Sequence, residues 1–338
     1  MRVVHVVCST GFAGVERYIV TVAAGLANRG AEVTVVGGGR SHMVPALEGT
    51  GVEWLPGDDM RQALRSLRAT GHVDVLHTHM SQADLVGWIG RRGRKSTRHV
   101  STRHFAGPRG TGAFARAAFA PIGRSLDAEI AISRFVAEHV ERPAQVVYSG
   151  VEDQPNSTER APFVLAAQRL EPEKHTAEVI EAWALSDGPA AGWMLRIAGD
   201  GSEWDRLHTL AHERGVGDSV EFLGHRTDIP DLLSRAAVVI APTPREGLGI
   251  LVLESMAHAT PVVAAAGGGH LESVGVAQPD LLYPPGDAMA AAQLLDRLVA
   301  DPELRLTSGA ALQRLQRERF TIDAQIAGVE AVYDRLLA

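Results

Sequence analysis

The chain of 338 residues contains a single cysteine, Cys8, and no run of 18 consecutive apolar residues. One cysteine cannot form a disulfide within the chain or supply an all-cysteine zinc site, which is typical of a reducing compartment. Without a long apolar run, a membrane-spanning helix is not expected. The first apolar run, over 3–7, is too short for the core of a signal peptide and predicts a buried strand. We therefore expect a cytoplasmic protein.

Acidic residues are absent from positions 85–126, although the whole chain has a net charge of −7. This basic stretch carries a charge of +9, so the rest of the chain carries −16. Its positive residues are Arg91, Arg92, Arg94, Lys95, Arg98, Arg103, Arg109, Arg116 and Arg124. The stretch could bind an anionic acceptor or the inner face of a membrane, or it could be a solvated loop. Apolar residues that could add contact at a membrane are Phe114, Phe119, Ile122 and Leu126.

Apolar runs rich in valine and isoleucine alternate with helix-like segments along the whole chain. Such strands are typical of parallel sheets covered by helices on both faces. A polar stretch over 149–160 interrupts the alternation and predicts an interdomain linker. We therefore predict two tandem doubly wound, Rossmann-like α/β domains, over 1–150 and 151–320, with a final helix over 321–338 that packs back onto the first domain. Ligands bind such sheets at the carboxyl ends of the strands, so we expect the site in a cleft between the domains.

The most informative feature that the chain does contain is the pair Glu246 and Glu254. A glycine-containing turn and an apolar, helix-like run separate the two carboxylates. Glycines in the turn and the start of a helix bring backbone amides close to an anion. Carboxylates around such a turn predict a site that holds a phosphate together with hydroxyl groups, which a sugar nucleotide combines.

Arg169 and Lys174 follow a strand predicted over 163–167, and Lys174 stands near the start of a helix predicted over 173–185. A lysine is poorly placed at the positive end of a helix dipole, but its charge suits a bound diphosphate. An arginine and a lysine converging on one pyrophosphate would stabilise a departing nucleoside diphosphate. The alternative is two surface charges, with Lys174 paired to a nearby glutamate.

Other features in the first half leave alternatives open. The loop over 9–16 contains Gly11 and Gly14 and could present amides to a phosphate, but a tight structural turn explains it about as well. His104 follows a predicted strand and could bind a sugar hydroxyl or merely cap a loop. His77 and His79 share a strand face at a spacing compatible with a metal, but no third ligand accompanies them, so we interpret them as lining the core or cleft.

The second half resembles the donor domain of retaining GT-B glycosyltransferases of family 4, the type called glycosyl transferases group 1. The motifs that carry the resemblance are Gln168-Arg169-Leu170-x-Pro172-Glu173-Lys174, Ile197-Ala198-Gly199-Asp200-Gly201, Val220-Glu221-Phe222-Leu223-Gly224, Glu246-Gly247-Leu248-Gly249 with Glu254, Thr260-Pro261-Val262-Val263-Ala264, Gly268-Gly269-x-x-Glu272 and Pro284-Pro285-Gly286-Asp287. The first half is similar in Ala13-Gly14-Val15-Glu16, Asp74-Val75-Leu76-His77-Thr78-His79, His104 and Ser149-Gly150-Val151. The order of these motifs over nearly the whole chain makes the resemblance specific.

The resemblance implies that the second domain binds a nucleotide-sugar donor and the first an acceptor. Arg169 and Lys174 would contact the diphosphate, and Glu246 and His104 the transferred sugar. Glu254 would bind the ribose. The other implied donor contacts are Gly14, Gly199, Arg226, Gly247, Leu248, Gly249, Ile250 and Leu251. No Asp-x-Asp sequence occurs, which argues against a metal-chelated donor, so we expect no metal and no other cofactor.

The chain departs from the family pattern at positions where glycine or phenylalanine is frequent. Ala13, His175 and Ala259 stand where the family commonly has glycine, and Leu248 stands where phenylalanine is frequent. None of these departures removes a charged residue of the implied site, so they bear on donor identity more than on activity.

The leading hypothesis is transfer of a hexose from a UDP- or GDP-sugar to an acceptor hydroxyl with retained configuration, in glycoconjugate or natural-product biosynthesis. Two alternatives share the fold: a sugar-nucleotide epimerase or phosphorylase, and a non-catalytic protein that binds sugar nucleotides. Nucleic acid is not an expected partner.

Overall fold

The computed structural model describes residues 1–94, 96–110, 112–155 and 159–338, without the side chains of residues 113–115. Contacts divide the chain into two compact units. Unit 1 contains Met1–Gly150 and Ile322–Ala338, and unit 2 contains Val151–Thr321. The polar stretch predicted as a linker crosses the boundary at Gly150, and its residues Asn156, Ser157 and Thr158 lie outside the described part of the chain.

Unit 1 is a parallel sheet with helices in its connections. Its elements are β1 (Arg2–Val6), α1 (Gly14–Asn28), β2 (Glu32–Val36), α2 (Arg40–Leu47), β3 (Glu53–Leu55), α3 (Met60–Ala69), β4 (Val75–His79), α4 (Met80–Gly90), β5 (Arg98–Arg103), α5 (Ala113–Ser125), β6 (Ala128–Ala131), α6 (Arg134–Glu138) and β7 (Gln145–Val146). The strand order is β3-β2-β1-β4-β5-β6-β7, with every pair parallel. The order reverses between β1 and β4, the position where doubly wound sheets bind ligands.

Unit 2 repeats this plan with six strands. Its strands and α-helices are β8 (Ala161–Ala167), α7 (Thr176–Leu185), β9 (Met194–Ala198), α8 (Trp204–Glu213), β10 (Val220–Gly224), α9 (Ile229–Arg235), β11 (Ala236–Ala241), α10 (Ile250–Ala257), β12 (Val262–Ala265), α11 (Val274–Ala277), β13 (Leu282–Tyr283), α12 (Ala288–Ala300) and α13 (Pro302–Arg319). Short 3₁₀ turns span Pro172–Lys174, Gly217–Ser219, Gly268–Leu271 and Pro279–Leu281. The strand order, β10-β9-β8-β11-β12-β13, reverses between β8 and β11.

The last helix, α14 (Ile322–Leu337), belongs to unit 1. Its apolar face is buried, and Gln325 accepts a hydrogen bond of 2.7 Å from the backbone N–H of Gly150. Arg29 at the end of α1 pairs with Glu330 at 2.9 Å. The chain therefore leaves unit 1 at Gly150 and returns to it at Ile322.

The helix predicted over 173–185 is two elements. A 3₁₀ turn ends at Lys174, His175 takes a left-handed conformation with φ of 56°, and α7 begins at Thr176. Lys174 therefore does not stand at the start of an α-helix, and the dipole argument made for it from the sequence was wrong. The left-handed backbone of His175 explains why glycine is common at this position in the family that the sequence resembles.

Candidate functional site

Two loops meet in unit 2 where the strand order reverses. The loop after β8 carries Lys174 and the loop after β11 carries Glu246, with 2.7 Å between Nζ of Lys174 and Oε2 of Glu246. The side chains are 20% and 28% exposed, so the ion pair can be reached from solvent. Residues 72 positions apart thus form one charged site at the carboxyl ends of the strands. The glutamate that pairs with Lys174 is the candidate site residue itself, not a neighbour in the sequence.

Gln168 holds the loop of Lys174 in place. Its Nε2 donates to the Lys174 carbonyl and to Oγ1 of Thr176, both at 2.9 Å. The hydroxyl of Thr243, after β11, donates to Oε1 of Gln168 at 3.3 Å. Gln168 therefore links the two loops that carry the charged pair, a positioning role that the sequence motif did not indicate.

The glycines of the loop after β12 support the backbone of Glu246. The N–H of Gly269 donates to the Glu246 carbonyl at 2.9 Å. A Cβ on Gly268, whose φ is +53°, would lie 2.3 Å from that carbonyl oxygen. A Cβ on Gly269 would lie 2.4 Å from Cα of Leu248. Only glycine allows the loops to approach this closely, so these glycines fix the position of the Glu246 loop.

Helix α10 begins directly after this turn. Gly249 is its N-cap in the left-handed region, with φ of 88°. The first turn of a helix has backbone N–H groups without intrahelical partners, so Ile250 and Leu251 offer amides for an anion. The side chain of Leu248 is buried, which leaves only its backbone available to a ligand. Glu254 lies half-buried one turn further along α10.

His270 is a site residue that sequence reasoning missed. Its Nδ1 lies 3.0 Å from the Ala265 carbonyl, so the proton is on Nδ1 and Nε2 is a bare acceptor. A Cβ on Gly249 would lie 3.5 Å from that Nε2 and 3.4 Å from Cγ of Glu246. Burial lowers the pKa of His270, so the ring is neutral. Its place next to the Gly268-Gly269 motif was the available signal.

The remaining implied donor contacts in unit 2 are Arg169, Arg226 and Gly199. Arg169 is exposed and donates to Glu173 at 2.9 Å, and Arg226 is exposed and pairs with Asp228 at 2.5 Å. Gly199 directly follows β9 with φ of +146°, and a Cβ there would lie 1.8 Å from the Gln168 carbonyl oxygen. The glycine therefore allows close loop packing whatever else it does.

In unit 1, Gly14 begins α1 directly after the loop that follows β1. A Cβ on Gly14 would meet no atom within 4 Å, so the space beside this helix end is open. Buried Glu16 accepts hydrogen bonds from the N–H of Ala13 at 2.8 Å and from Oγ of Ser9 at 2.6 Å. Both carboxylate oxygens of Glu16 thus accept hydrogen bonds that hold the loop in place.

The sequence indicated no third metal ligand beside His77 and His79, and the structure corrects this with His5. His5 on β1 is paired in register with His77 on β4, and all three rings are fully buried. A nitrogen of each ring lies within 4.8 Å of the others. His104, after β5, joins the group through a distance of 3.1 Å between its Nε2 and Nδ1 of His79. A parallel register brings β1 and β4 together, which no local spacing reveals.

Four arginines of the basic stretch form ion pairs with carboxylates in the folded unit. Arg109 is buried and contacts Asp84 at 2.5 Å and Glu141 at 2.6 Å. Arg103 pairs with Glu129 at 3.0 Å and also with Glu141. Burial acts to raise the pKa of the Glu141 carboxyl, but a backbone hydrogen bond and both arginines outweigh it and bring the pKa to about 2.

Other members of the stretch are also engaged. Arg91 pairs with Asp127 at 2.6 Å, Arg98 lies 3.8 Å from the same carboxylate, and Arg94 donates to the carbonyls of Leu67 and Thr70. Arg92 lies over the ring of Trp88, while Arg116 and Arg124 are exposed. Lys95 and the side chain of Phe114 lie outside the described residues.

The membrane-contact role suggested for Ile122 and Leu126 was wrong, because both side chains are buried, and Phe119 is half-buried. The carboxylates Asp84 and Asp127 flank the basic stretch in the sequence, so a count over 85–126 misses them.

Unit 1 also contains an open cavity of about 560 Å³ at the loops that follow β1, β2 and β3. Its polar lining comes from Thr10, Gly39, Arg40, Ser41 and Asp58. The Arg40 guanidinium lies 5.3 Å from the centre of the Trp54 ring. Hydroxyl, carboxylate and guanidinium groups thus surround a space at the carboxyl ends of the strands.

Two doubly wound α/β units, each with polar groups at its strand-order reversal, define the GT-B class of fold. Two family models match the chain: "Glycosyltransferase Family 4" over residues 12–154 and "Glycosyl transferases group 1" over residues 151–312. The chain therefore belongs to glycosyltransferase family 4, the group 1 type, as its motifs indicated.

Solved structures and curated relatives agree with this family. The structure of Anabaena HepE with UDP and glucose superposes with a TM-score of 0.81, at 21% identity, over 99% of this chain and 100% of that one. The D-inositol 3-phosphate glycosyltransferase of Salinispora arenicola is 28% identical over 96% of this chain and 88% of its own length. An exopolysaccharide phosphotransferase of Streptomyces coelicolor is 30% identical over 54% of this chain. The chain spans only 20% to 42% of the length of that protein and three other curated relatives.

No helix within the described residues is both long and apolar enough to cross a bilayer.

Proposed function

We propose that this chain transfers a hexose from a UDP-sugar to an acceptor hydroxyl with retention of configuration. The observation that carries the proposal is the Lys174–Glu246 pair, held 2.7 Å apart at the strand-order reversal of unit 2. The family contains glycosyltransferases, and HepE, which has the same fold, was solved with UDP and glucose. A UDP-sugar offers a diphosphate for the lysine and hydroxyls for the glutamate.

In this proposal Lys174 leaves Glu246 when the donor binds and contacts the diphosphate. Arg169 exchanges its exposed bond to Glu173 for a phosphate oxygen, which adds a second positive charge. Both cations then stabilise the negative charge that grows on the leaving UDP. With Arg and Lys in this role, the transfer needs no metal ion.

Glu246 then accepts hydrogen bonds from hydroxyls of the transferred sugar and orients it. The amides of Gly247, Gly249, Ile250 and Leu251 face the phosphates and the sugar, and Glu254 binds the ribose. A phosphate oxygen of the leaving UDP takes the proton from the acceptor hydroxyl as the new glycosidic bond forms on the same face. Glu246 is thus an orienting group and not a nucleophile, and holding the reactants in place supplies much of the rate.

The acceptor, in our proposal, binds the cavity of unit 1. Ser41, Thr10 and Asp58 can hydrogen-bond hydroxyl groups, and Arg40 favours an acceptor that also carries a phosphate. Relatives are named for inositol phosphate and for 2-deoxystreptamine, which have opposite charges. Arg40→Gln should raise KM for D-inositol 3-phosphate about tenfold and leave KM for the UDP-sugar unchanged. Equal KM values for D-inositol 3-phosphate in the wild type and the variant would mean that Arg40 does not bind the acceptor.

The donor site is tested by Glu246→Gln and Lys174→Met in assays with UDP-, GDP-, ADP- and dTDP-hexoses. Each change should lower kcat/KM for the UDP-sugar by about 10²–10³-fold, because each removes a charged contact at the reacting centre. Glu181→Gln is the matched control, since Glu181 forms an ion pair with Arg214 outside these loops. Near-normal turnover in both site variants would overturn the assignment.

Product analysis tests the rest of the proposal. NMR of the product should show the anomeric configuration of the donor, and EDTA should leave the rate unchanged. Conversion of the donor without any acceptor would instead indicate an epimerase. Donor binding without transfer to any acceptor tried would indicate a non-catalytic protein.

A further inference from the structure

Three histidines form a continuous hydrogen-bonded chain inside unit 1. Nδ1 of His5 lies 3.1 Å from Nε2 of His79, and Nδ1 of His79 lies 3.1 Å from Nε2 of His104. The chain runs from β1 through the end of β4 to the residue after β5. At its inner end, Nε2 of His5 is buried and has no partner among the described residues. At its outer end His104 keeps 8% of its surface exposed.

Each ring of this chain is neutral at physiological pH. Burial lowers the pKa of His5 and of His104 to about 3, and it lowers the pKa of His79 well below its ordinary value. A neutral imidazole has one N–H donor and one bare acceptor nitrogen. Two consecutive hydrogen bonds between such rings can therefore run in only two directions, and the direction fixes the protonated nitrogen of all three rings.

The inner end decides between the two directions. If the bonds ran from His104 towards His5, the proton of His5 would be on Nε2, and a buried N–H would have no acceptor. If they run from His5 towards His104, the nitrogen without a partner is a bare lone pair. Unpaired N–H groups are the rarer defect in protein interiors, because a buried donor without an acceptor loses its hydration and gains nothing in return. The second direction is the more stable one.

We infer that His5 and His79 are positioning residues that hold His104 in the tautomer with its proton on Nδ1. Nδ1–H of His5 donates to His79, and Nδ1–H of His79 donates to Nε2 of His104. The free nitrogen of His104 is then a hydrogen-bond donor and not a base. Its functional consequence rests on the proposed function: His104 donates to an oxygen of the bound donor sugar and does not remove a proton from the acceptor.

A metal ion held by His5, His77 and His79 is the competing use of the cluster. The structure favours the chain because His77 and His79 already use both of their nitrogens. Those of His77 lie 2.6 Å from the Tyr333 hydroxyl and 2.7 Å from Oγ1 of Thr102. Only Nε2 of His5 is open, so a metal would have to break existing hydrogen bonds to gain three ligands.

The tautomers can be read directly by ¹⁵N NMR of the full chain labelled with ¹⁵N-histidine. Protonated and bare ring nitrogens resonate far apart, and His104→Asn identifies the signals of His104. In the wild-type protein, Nδ1 of His104 should be protonated and Nε2 bare. The opposite assignment would overturn the inference, and it would do so whether or not the protein transfers sugar.

Variants of His5 test the positioning role. His5→Asn keeps an amide donor near the position of Nδ1, so the tautomer of His104 should be unchanged. His5→Met replaces the donor by a thioether sulfur, which can only accept, so the proton of His79 should move to Nε2 and that of His104 to Nε2. His5→Met should also lower kcat about tenfold, with KM for the acceptor unchanged, and His5→Asn should retain most of the rate.

The matched control is His99→Asn, since His99 is buried on β5 but bonds to Thr78 outside the chain. This change should leave the His104 tautomer as it is. An unchanged tautomer in a folded His5→Met protein would overturn the inference. One equivalent of zinc retained by the wild-type protein and lost in His5→Asn would overturn it in favour of a metal site. If His5→Met does not fold, the wild-type and His5→Asn spectra still decide the direction.

Discussion

Left-handed backbone at single residues explains two of the departures from the family pattern. Ala259 and His175 have φ values of 54° and 56°, and both stand where the family commonly has glycine. A side chain in this region strains the backbone, which glycine would not. Ala13, the third departure, has an extended backbone with φ of −130°, so alanine costs nothing there.

We therefore predict that Ala259→Gly raises the free energy of unfolding by about 0.5–1 kcal/mol, because relief of strain exceeds the entropy gained by the unfolded chain. Urea denaturation measures the change. Ala13→Gly is the matched control and should give no gain. A loss of stability in Ala259→Gly would contradict the strain argument.

A second reason for glycine is that another segment of the chain lies too close for a side chain. Two glycines of unit 2 separate this effect from backbone strain. Gly268 and Gly286 have φ of +53° and +84°, but a Cβ on Gly286 meets no atom within 4 Å while one on Gly268 would strike the Glu246 carbonyl. Gly286→Ala should thus cost about 1 kcal/mol from backbone strain alone. Gly268→Ala should cost at least about 2 kcal/mol more and also lower kcat, because the Glu246 loop must move. Equal losses in both variants would show that the loops yield without strain.

At the scale of elements, α1 and α14 pack closely at Gly25. A Cβ there would lie 2.0 Å from Cδ1 and 2.7 Å from Cγ1 of Ile326. Gly25→Ala should therefore destabilise unit 1 by about 1–3 kcal/mol through overpacking, although alanine favours a helix. Ile326→Ala should cost about 2–5 kcal/mol. The double variant should lose at least about 1 kcal/mol less than the sum of the two single losses, because alanine at position 326 makes room for the Cβ at position 25. Additive losses would mean that α14 does not press on Gly25.

The sequence predicted elements whose patterns are local. The apolar strands β1, β8 and β11 are evident from runs of buried residues, and the two-domain alternation follows from them. The helix over 173–185 was predicted too long because the left-handed His175 has no signal in a helical pattern. Contacts between distant segments were the least predictable: neither the ion pairs of Arg109 nor the register of His5 with His77 can be read from spacing.

At the scale of the whole molecule, the charge of the basic stretch also shows that contacts between distant segments cannot be read from the local sequence. Four of its arginines pair with carboxylates that lie outside it in the sequence, so its net charge of +9 overstates the positive charge at the surface. The candidate donor site was more predictable, because family motifs place Lys174 and Glu246 at the ends of neighbouring strands. What the motifs do not specify is the support around the pair: they include Gln168 without its positioning role and leave the position of His270 open.

The buried histidines of unit 1 make the stability of the molecule depend on pH. Burial holds the pKa of His5 and His104 at about 3 and that of His99 at about 4, and it lowers those of His77 and His79. Between about pH 6.5 and these values, the unfolded chain binds protons that the folded chain does not. Stability should therefore fall as the pH drops below about 6.5.

We expect a loss of about 1 kcal/mol per buried histidine between pH 6.5 and 5.5, measured by urea denaturation at closely spaced pH values. The slope reports the number of protons taken up on unfolding. His99→Asn should lower that number by about one, whatever its effect on stability at pH 7.5. A stability that is constant from pH 7.5 to 5.5 would mean that these rings are charged or hydrated in the folded protein, and the direction assigned to the His5–His79–His104 chain would fall with it.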